Sequence, residues 1–273
     1  MLERGDNIVA FEPGGRADKL GNRYEGRWVA KQLLYLLNEN ICSVTIEAIG
    51  DDERGVDLCI EKPNGFKQYQ QCKARNGSNE SWTVSALKSR CILKDIVFQL
   101  ERDDRSEFIL VSGIPGTGFS DICDSARNSN NNPEDFFDYQ IKAVGIDRQK
   151  AFRGICAAWG LNDEDINDRQ AAFGYLKRIR VELFAGDDNS WKDSLTFAGF
   201  LLTGNSENIV AALTMYAENN DRMGNPIYAD ELRMFLTSKG FSPKNLIKDK
   251  RISPSIKRLQ DEFSESIAPM LIS

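Results

Sequence analysis

The chain of 273 residues contains no histidine. That absence removes Ser-His-Asp triads, Cys-His nucleophile pairs and histidine-bearing zinc sites. Histidine is also removed as a general base, which leaves acid–base work to carboxylates, lysine or metal-bound water. The six cysteines (Cys42, Cys59, Cys72, Cys91, Cys123 and Cys156) contain no C-x-x-C pair, so a zinc ribbon or thioredoxin-like motif has no support. Several lie in apolar surroundings such as Asp57-Leu58-Cys59-Ile60, the setting of a buried free thiol. No apolar run is long enough to cross a bilayer, and Met1-Leu2-Glu3-Arg4-Gly5-Asp6 leads into no signal-peptide core. We expect a reduced protein of the bacterial cytoplasm with no membrane partner.

What is present supports a packed core: hydrophobic residues make up 41% and charged residues 28%, outside the range of disordered chains. The net charge of -6 argues, as a sum, against phosphate binding. The first 20 residues read as a leading segment punctuated by Pro13-Gly14-Gly15. A helical stripe follows over 22–37, carrying Tyr24, Trp28, Val29, Leu33, Leu36 and Leu37. Strands are predicted over 43–49, 55–61 and 66–74, the last two joined by the turn Lys62-Pro63-Asn64-Gly65. A helix over 83–100, entered through Ser81 or a nearby polar cap, then leads to a strand over 107–112. A strand–helix–strand crossover would set that last strand parallel to a strand of the meander.

Past Gly113 the character changes. Asn128-Ser129-Asn130-Asn131-Asn132-Pro133 reads as a polar loop or hinge, and helices are predicted over 133–142, 148–159, 190–202, 206–219, 229–239 and 254–272. One strand interrupts them over 176–184, where Ile179, Val181 and Leu183 alternate with Arg178, Arg180 and Glu182. The expected organisation is α/β: a core with its leading segment over 1–113 and a mostly helical subdomain over 114–273. The apolar, helix-like ending Ile267-Ala268-Pro269-Met270-Leu271-Ile272-Ser273 lacks the polar fraying common at termini. A further domain beyond Ser273 is expected for that reason.

Three features of the core converge on chemistry. Glu25 projects from the apolar face of the first helix, where a carboxylate is costly without a partner, unless it snorkels to water from the edge of the stripe. In Gly55-Val56-Asp57, alternation sets Val56, Leu58 and Ile60 on one face and Asp57 with Cys59 on the other, which also suits a solvent-facing acid. In Gln71-Cys72-Lys73, the amide and the ammonium share a face. A short hairpin brings Asp57 near Gln71 and Lys73, and a neighbouring helix can present Glu25. Carboxylates bind a hard cation such as Mg²⁺, and lysine stabilises a pentavalent phosphate.

The order Glu25 … Gly55-x-Asp57 … Gln71-x-Lys73 on helix–strand–strand resembles the PD-(D/E)xK nuclease superfamily in its Mrr-like, Q-x-K form. More narrowly, Gly14-Gly15-Arg16 with Gly21-Asn22-Arg23-Tyr24-Glu25 is similar to the N-terminal nucleases of bacterial antiphage effectors. These include Cap4-type effectors of CBASS systems and nucleases fused to STAND-ATPase (Avs) proteins. The resemblance covers about residues 14–113 and implies a restriction-endonuclease-like core, helix–three strands–helix–strand. It implies Asp57 as principal metal ligand, Lys73 as catalytic lysine, Glu25 as a metal-site or water-positioning carboxylate, and Gln71 as orienting the metal or its water. Glu47 is a further metal candidate on the face of Thr45 and Ile49, although it reads more simply as a surface acid. The glutamine at 71, where an acid is commoner, leaves one or two ions open. The implied cofactor is Mg²⁺, with Mn²⁺ as a substitute.

Local charge answers the objection from the total. Residues 62–94 hold Lys62, Lys67, Lys73, Arg75, Lys88, Arg90 and Lys94 against the single acid Glu80, and the first helix region adds Arg16, Lys19, Arg23 and Arg27. Phosphate affinity follows cations facing the backbone, not the sum over the chain. Arg16, Arg23, Arg27, Lys67, Arg75, Lys88 and Arg90 are the expected DNA contacts; a solvated helix face is the plainer account of those near 88–94. Gly113-Ile114-Pro115-Gly116-Thr117-Gly118 lacks G-K-[ST] and G-x-G-x-x-G, so it reads as a loop closing a strand rather than a nucleotide site.

The expectation is thus a Mg²⁺-dependent deoxyribonuclease, the effector of an antiphage protein, cutting double-stranded DNA with little sequence preference. The resemblance further implies activation through homo-oligomerisation and a fused STAND ATPase or nucleotide sensor. The competing expectation is a catalytically inactive nuclease-like module for nucleic-acid or partner binding, and the helical half could serve oligomerisation in either case.

Overall fold

The computed structural model describes residues 13–74, 80–218 and 223–244, with the backbone alone for 13–22. Its elements run α1 (Pro13–Leu37), β1 (Ser43–Ile46), a 3-10 turn (Gly50–Glu53), β2 (Leu58–Glu61), β3 (Lys67–Lys73), α2 (Val84–Ser89), α3 (Ile92–Arg102) and β4 (Ser106–Ser112). There follow α4 (Phe119–Arg127), α5 (Pro133–Asp135) continued by a π-helical segment (Phe136–Lys142), α6 (Ile146–Trp159), α7 (Ile166–Lys177) and β5 (Ile179–Leu183). The described chain closes with α8 (Asp188–Leu201), α9 (Ser206–Ala217), β6 (Ile227–Tyr228) and α10 (Ala229–Ser238).

The strands form one mixed sheet in the order β5-β4-β3-β2-β1-β6. β1, β2 and β3 are an antiparallel meander with Leu58 opposite Gln70, and β4 lies parallel to β3 with Lys73 opposite Ser112. The crossover through α2 and α3 therefore gives the parallel pair that the sequence predicts. β4 is buried along its whole length, so its two faces feed two cores. Ile109 and Val111 pack with Trp28, Leu33 and Leu36 of α1 and with Leu201, Leu213 and Leu236 from α8, α9 and α10. Phe108 and Leu110 pack with Leu93, Ile96, Ile122, Phe152 and Phe173 from α3, α4, α6 and α7. The result is a helix–sheet–helix sandwich.

Several boundaries differ from expectation, each for a local reason. α1 starts at Pro13, not at 22, because proline at a first helical position is pre-set for the helix and gives up only an orphan N–H. The expected helix over 83–100 is two helices. Thr83 Oγ1 caps α2 by accepting from the Ala86 N–H at 3.2 Å, and the chain breaks where Cys91 takes the left-handed φ of 61°. β2 starts at Leu58, and the alternation fails before it: Val56 joins the α3-side core while Leu58 joins the α1-side core. α4 and α7 occupy stretches that the sequence pattern left unassigned, while the helix expected over 254–272 lies outside the described residues. All six cysteines are free; Cys72, Cys123 and Cys156 are buried, but Cys59 is only half-buried.

Across residue 113 the packing is continuous. β5 extends the sheet beside β4, β6 extends it beside β1, and α8–α10 complete the core around α1. Gly113 itself is a close approach, since a Cβ there would lie 2.4 Å from the Ala74 carbonyl oxygen. The glycine-rich loop thus closes β4 against the end of β3.

Candidate metal centre

The site forms where α1 crosses the ends of β1, β2 and β3. Glu25 lies one turn before Trp28, whose indole Nε1–H donates to Gln70 Oε1 across 2.8 Å of buried space. That bond ties α1 to β3. β2 is held to the same strand at the neighbouring position: Asp57 Oδ2 accepts the Cys72 N–H at 2.5 Å, and the Asp57 N–H donates to the Gln70 carbonyl at 2.9 Å. Glu47 follows β1 in a left-handed conformation with φ 48°, and its N–H donates to the Asp57 carbonyl at 3.0 Å.

The loop before Asp57 is pinned from α3. Arg54 pairs with Asp95 at 2.9 Å, and Gln99 Nε2 donates to the Asp51 and Arg54 carbonyls at 2.9 and 2.8 Å. Gly55 must be glycine here, with φ 65° and only 2.5 Å between a built Cβ and Asp95 Cβ. The Gly-x-Asp spacing therefore has a steric cause.

These constraints bring one carboxylate oxygen from each of Glu25, Glu47 and Asp57 within 4.8 Å of one another. Among the described residues this is the one acid cluster with such spacing. Burial, then Asp57 and then Glu47, raises the Glu25 carboxyl to about 7, against a smaller opposing effect of Lys73. Burial and the Asp57 charge also raise Glu47. Asp57 is raised by burial although Lys73 and the Cys72 N–H oppose the shift. Gln71 is buried, and its Oε1 has no hydrogen-bond partner. Three crowded carboxylates short of positive charge match the oxygen-only donor set that a hard divalent cation takes. The residues fit Mg²⁺ or Mn²⁺.

Glu25, Glu47 and Asp57 thus meet, and Lys73 is near enough to act on all three. Glu47 is the most exposed of the three, as a surface acid would be, yet its carboxylate oxygen lies with those of Glu25 and Asp57. The basic residues divide. Arg23 and Arg27 lie four residues apart on one side of α1, while Glu25 is about 200° around the helix from Arg23. Arg27 is spent internally: it donates to the Gly186 carbonyl, lies 3.8 Å from Asp188 and sits 5.0 Å over the Trp191 ring. Arg23 is exposed and opens onto a cavity of about 490 Å³ shared with Trp191, Met215 and Glu218. Lys67 begins β3 and Lys73 ends it, so they stand about 20 Å apart at opposite ends of the strand. Lys88 is exposed on α2 and Arg90 follows it, exposed and 5.2 Å over the Trp82 ring; α2 starts beside the loop after β4, where the Trp82 N–H donates to the Pro115 carbonyl at 2.8 Å. Lys88 lines a shallow pocket with Thr117, Gly118 and Lys150 beside that loop. The Arg16 side chain and Arg75 lie outside the described residues.

Among the contacts that the sequence does not announce are the Trp28–Gln70 bond and the backbone N–H that Cys72 offers Asp57. The first had a signal, because a tryptophan on a fully buried stripe needs an acceptor for its N–H. The second had none, since any strand residue offers the same donor.

No family model matches the chain, and no curated protein matches it. The fold does have solved counterparts. The Cap4 SAVED/CARF-domain containing receptor of Acinetobacter baumannii, solved with the cyclic trinucleotide 3'3'3'-cAAA, matches with a TM-score of 0.51 over 80% of this chain and 47% of its own, at 14% identity. The chain shares a fold with part of Cap4. The Moraxella osloensis Cap4 receptor matches 81% of this chain and 47% of its own at a TM-score of 0.44 and 14% identity. The chain spans just under half the length of these Cap4 structures. Among the described residues no helix is long and apolar enough to cross a membrane.

Proposed function

We propose that the chain is the metal-dependent endonuclease domain of an antiphage effector, built on a PD-(D/E)xK-like core. The observation that carries the proposal is the convergence of Glu25, Glu47 and Asp57 within 4.8 Å, at the strand end that bears Lys73. The order α1, three strands, helical crossover, parallel strand is the one that the Q-x-K resemblance implies, and the Cap4 likeness supports the antiphage setting.

Glu25, Glu47 and Asp57 would hold Mg²⁺ or Mn²⁺, with Gln71 Oε1 as a neutral donor. The ion, when bound, supplies Lewis acidity to the scissile phosphate and lowers the pKa of water. Lys73 places its ammonium where negative charge grows on the phosphorus oxygens and stabilises it there. Without the ion, burial and the neighbouring carboxylates raise Glu25 to about 7, so ion binding near neutral pH is coupled to release of its proton. Lys88 and Arg90 offer cations to the backbone of double-stranded DNA, and the cut has little sequence preference. Activity is switched on by oligomerisation, driven by a nucleotide-sensing or ATPase domain carried on the same protein.

The test is plasmid degradation with Mg²⁺ or Mn²⁺, comparing wild type with Asp57→Ala and Lys73→Ala. Loss of cleavage in both supports the assignment; equal cleavage by all three overturns it. DNA binding without metal-dependent cleavage, even after forced oligomerisation, would favour the non-catalytic module.

A further inference from the structure

The sequence holds two adjacent glutamines, and the structure gives them opposite duties. Gln71 leaves its Oε1 unpaired, whereas Gln70, 2% exposed, gives its Oε1 to the Trp28 indole. The bond is 2.8 Å long, fully buried, and spans 42 residues of sequence. Trp28 is 1% exposed and rests edge-on against Phe184 with ring centroids 5.1 Å apart, so the indole has no freedom to seek another acceptor. Along α1, Glu25 is three residues before Trp28 and projects from the neighbouring part of the same face. Along β3, Gln70 is flanked at one remove by Cys72, whose N–H holds Asp57. The Gln70 carbonyl takes the Asp57 N–H as well. Both carboxylates are therefore referenced to two residues of one strand: Asp57 through backbone groups of Gln70 and Cys72, and Glu25 through the buried Trp28–Gln70 bond one turn away. Other polar ties of α1, from Arg27 to the Gly186 carbonyl and from Lys31 to Glu182 at 3.3 Å, run to β5 and the loop after it and not to the strand that holds Asp57.

We propose that Gln70 is a positioning residue for the metal centre, acting through Trp28 to fix the height of Glu25 above Asp57. The proposal rests on the carboxylate cluster being a metal site. Three carboxylates repel one another, and an α1 free to slide or turn would relax by moving Glu25 away. Core packing resists that motion too, but sets the register less sharply, because apolar contact has no direction. A buried hydrogen bond is directional and sets one register. Partners bonded directly to a ligand are worth about 10–100-fold in metal affinity, and Trp28–Gln70 acts one step further out, so the lower figure applies.

The test is Mn²⁺ titration by calorimetry, with melting temperature recorded alongside, for wild type, Asp57→Ala, Trp28→Phe, Gln70→Met and the double variant Trp28→Phe/Gln70→Met. Each single change strands one buried polar group and should lower the melting temperature. The double change removes both partners and should restore much of it, since deleting a matched pair is close to neutral. A positioning role predicts that Mn²⁺ affinity stays reduced by about 10-fold in the double variant while stability recovers. Affinity that returns with stability would overturn the proposal and leave the metal site standing. Should the double variant not fold, Trp28→Phe alone decides: wild-type affinity in it also overturns the proposal. Absence of Asp57-dependent Mn²⁺ binding in wild type would overturn the metal site itself, and the positioning role with it.

Discussion

Two carboxylate centres lie on this sheet, and they are built in opposite ways. Glu107, near the start of β4, is buried, but it accepts from Lys62 at 2.9 Å, from Arg180 at 3.1 Å and from Gln68. Burial pushes its carboxyl up, yet those partners outweigh burial and hold it below the ordinary value. At the far end of the meander, Glu25, Glu47 and Asp57 are crowded and all pushed up, with Lys73 as the cation that opposes them. Burial is common to both. What differs is the supply of donors: the first centre is saturated, and the second is left wanting positive charge. A saturated carboxylate stabilises a fold, whereas an unsaturated cluster costs stability and is for that reason a candidate binding site.

The sharpest way to break this comparison is to neutralise one acid in each centre. Asp57→Asn should abolish cleavage, exceeding the about 10–100-fold loss typical of outer partners, while Glu107→Gln should leave it within about 3-fold. Plasmid nicking assays read both. Lys73→Ala comes next, with a loss of about 100-fold in rate at unchanged DNA affinity, measured by single-turnover cleavage beside a binding isotherm.

Stability should run the other way. Glu107→Leu strands Lys62 and Arg180 and should cost about 1–3 kcal/mol, toward the lower figure because Arg180 is 57% exposed. Asp57→Asn keeps an acceptor for the Cys72 N–H and removes a repelling charge. It should gain about 0.5–2 kcal/mol above neutral pH in urea titration. A destabilised Asp57→Asn would mean that the cluster is structural after all.

The two centres also have opposite pH signatures. Glu25 binds its proton more tightly folded than unfolded, 4.5 rising to about 7, so the folded state holds more protons between those values. Stability must fall as pH rises across that window and level off above it. Glu107 is held below 4.5, so its contribution is present above that value and is lost as pH falls through the folded pKa. Melting temperature against pH should therefore rise to about 4.5 and then decline toward 7 without metal, and Glu25→Gln should flatten the decline. The smallest effect is expected at Lys67. Its alanine variant should change DNA affinity by less than about 2-fold, because it sits about 20 Å down the strand from Lys73.

Much of the candidate site is legible in sequence, and the rest is not for definable reasons. The acid on the apolar stripe of α1, the Gly-x-Asp turn and the Gln-x-Lys strand mark the centre because each breaks the local hydrophobic pattern. Glu47 carries no such mark: it gains its place from a left-handed backbone after β1, which one sequence does not reveal. The basic residues are legible as a count and illegible as a surface. Arg27 and Lys67 belong to the right stretches, but helix phase and strand length turn them away from Glu25 and Lys73. In the fold, the alternating strand Ile179–Leu183 shows plainly in sequence, while its pairing with β4 depends on a crossover that periodicity cannot trace.

The central claim is that the crowded carboxylates are kept for a divalent cation, and ligand-linked stability tests it without requiring activation. Mn²⁺ at about 100 times its dissociation constant should stabilise wild type by about 2.7 kcal/mol, or about 5 °C or more in melting temperature above neutral pH. Asp57→Asn should show no such shift. An equal shift in both proteins, or none in wild type, would contradict the account.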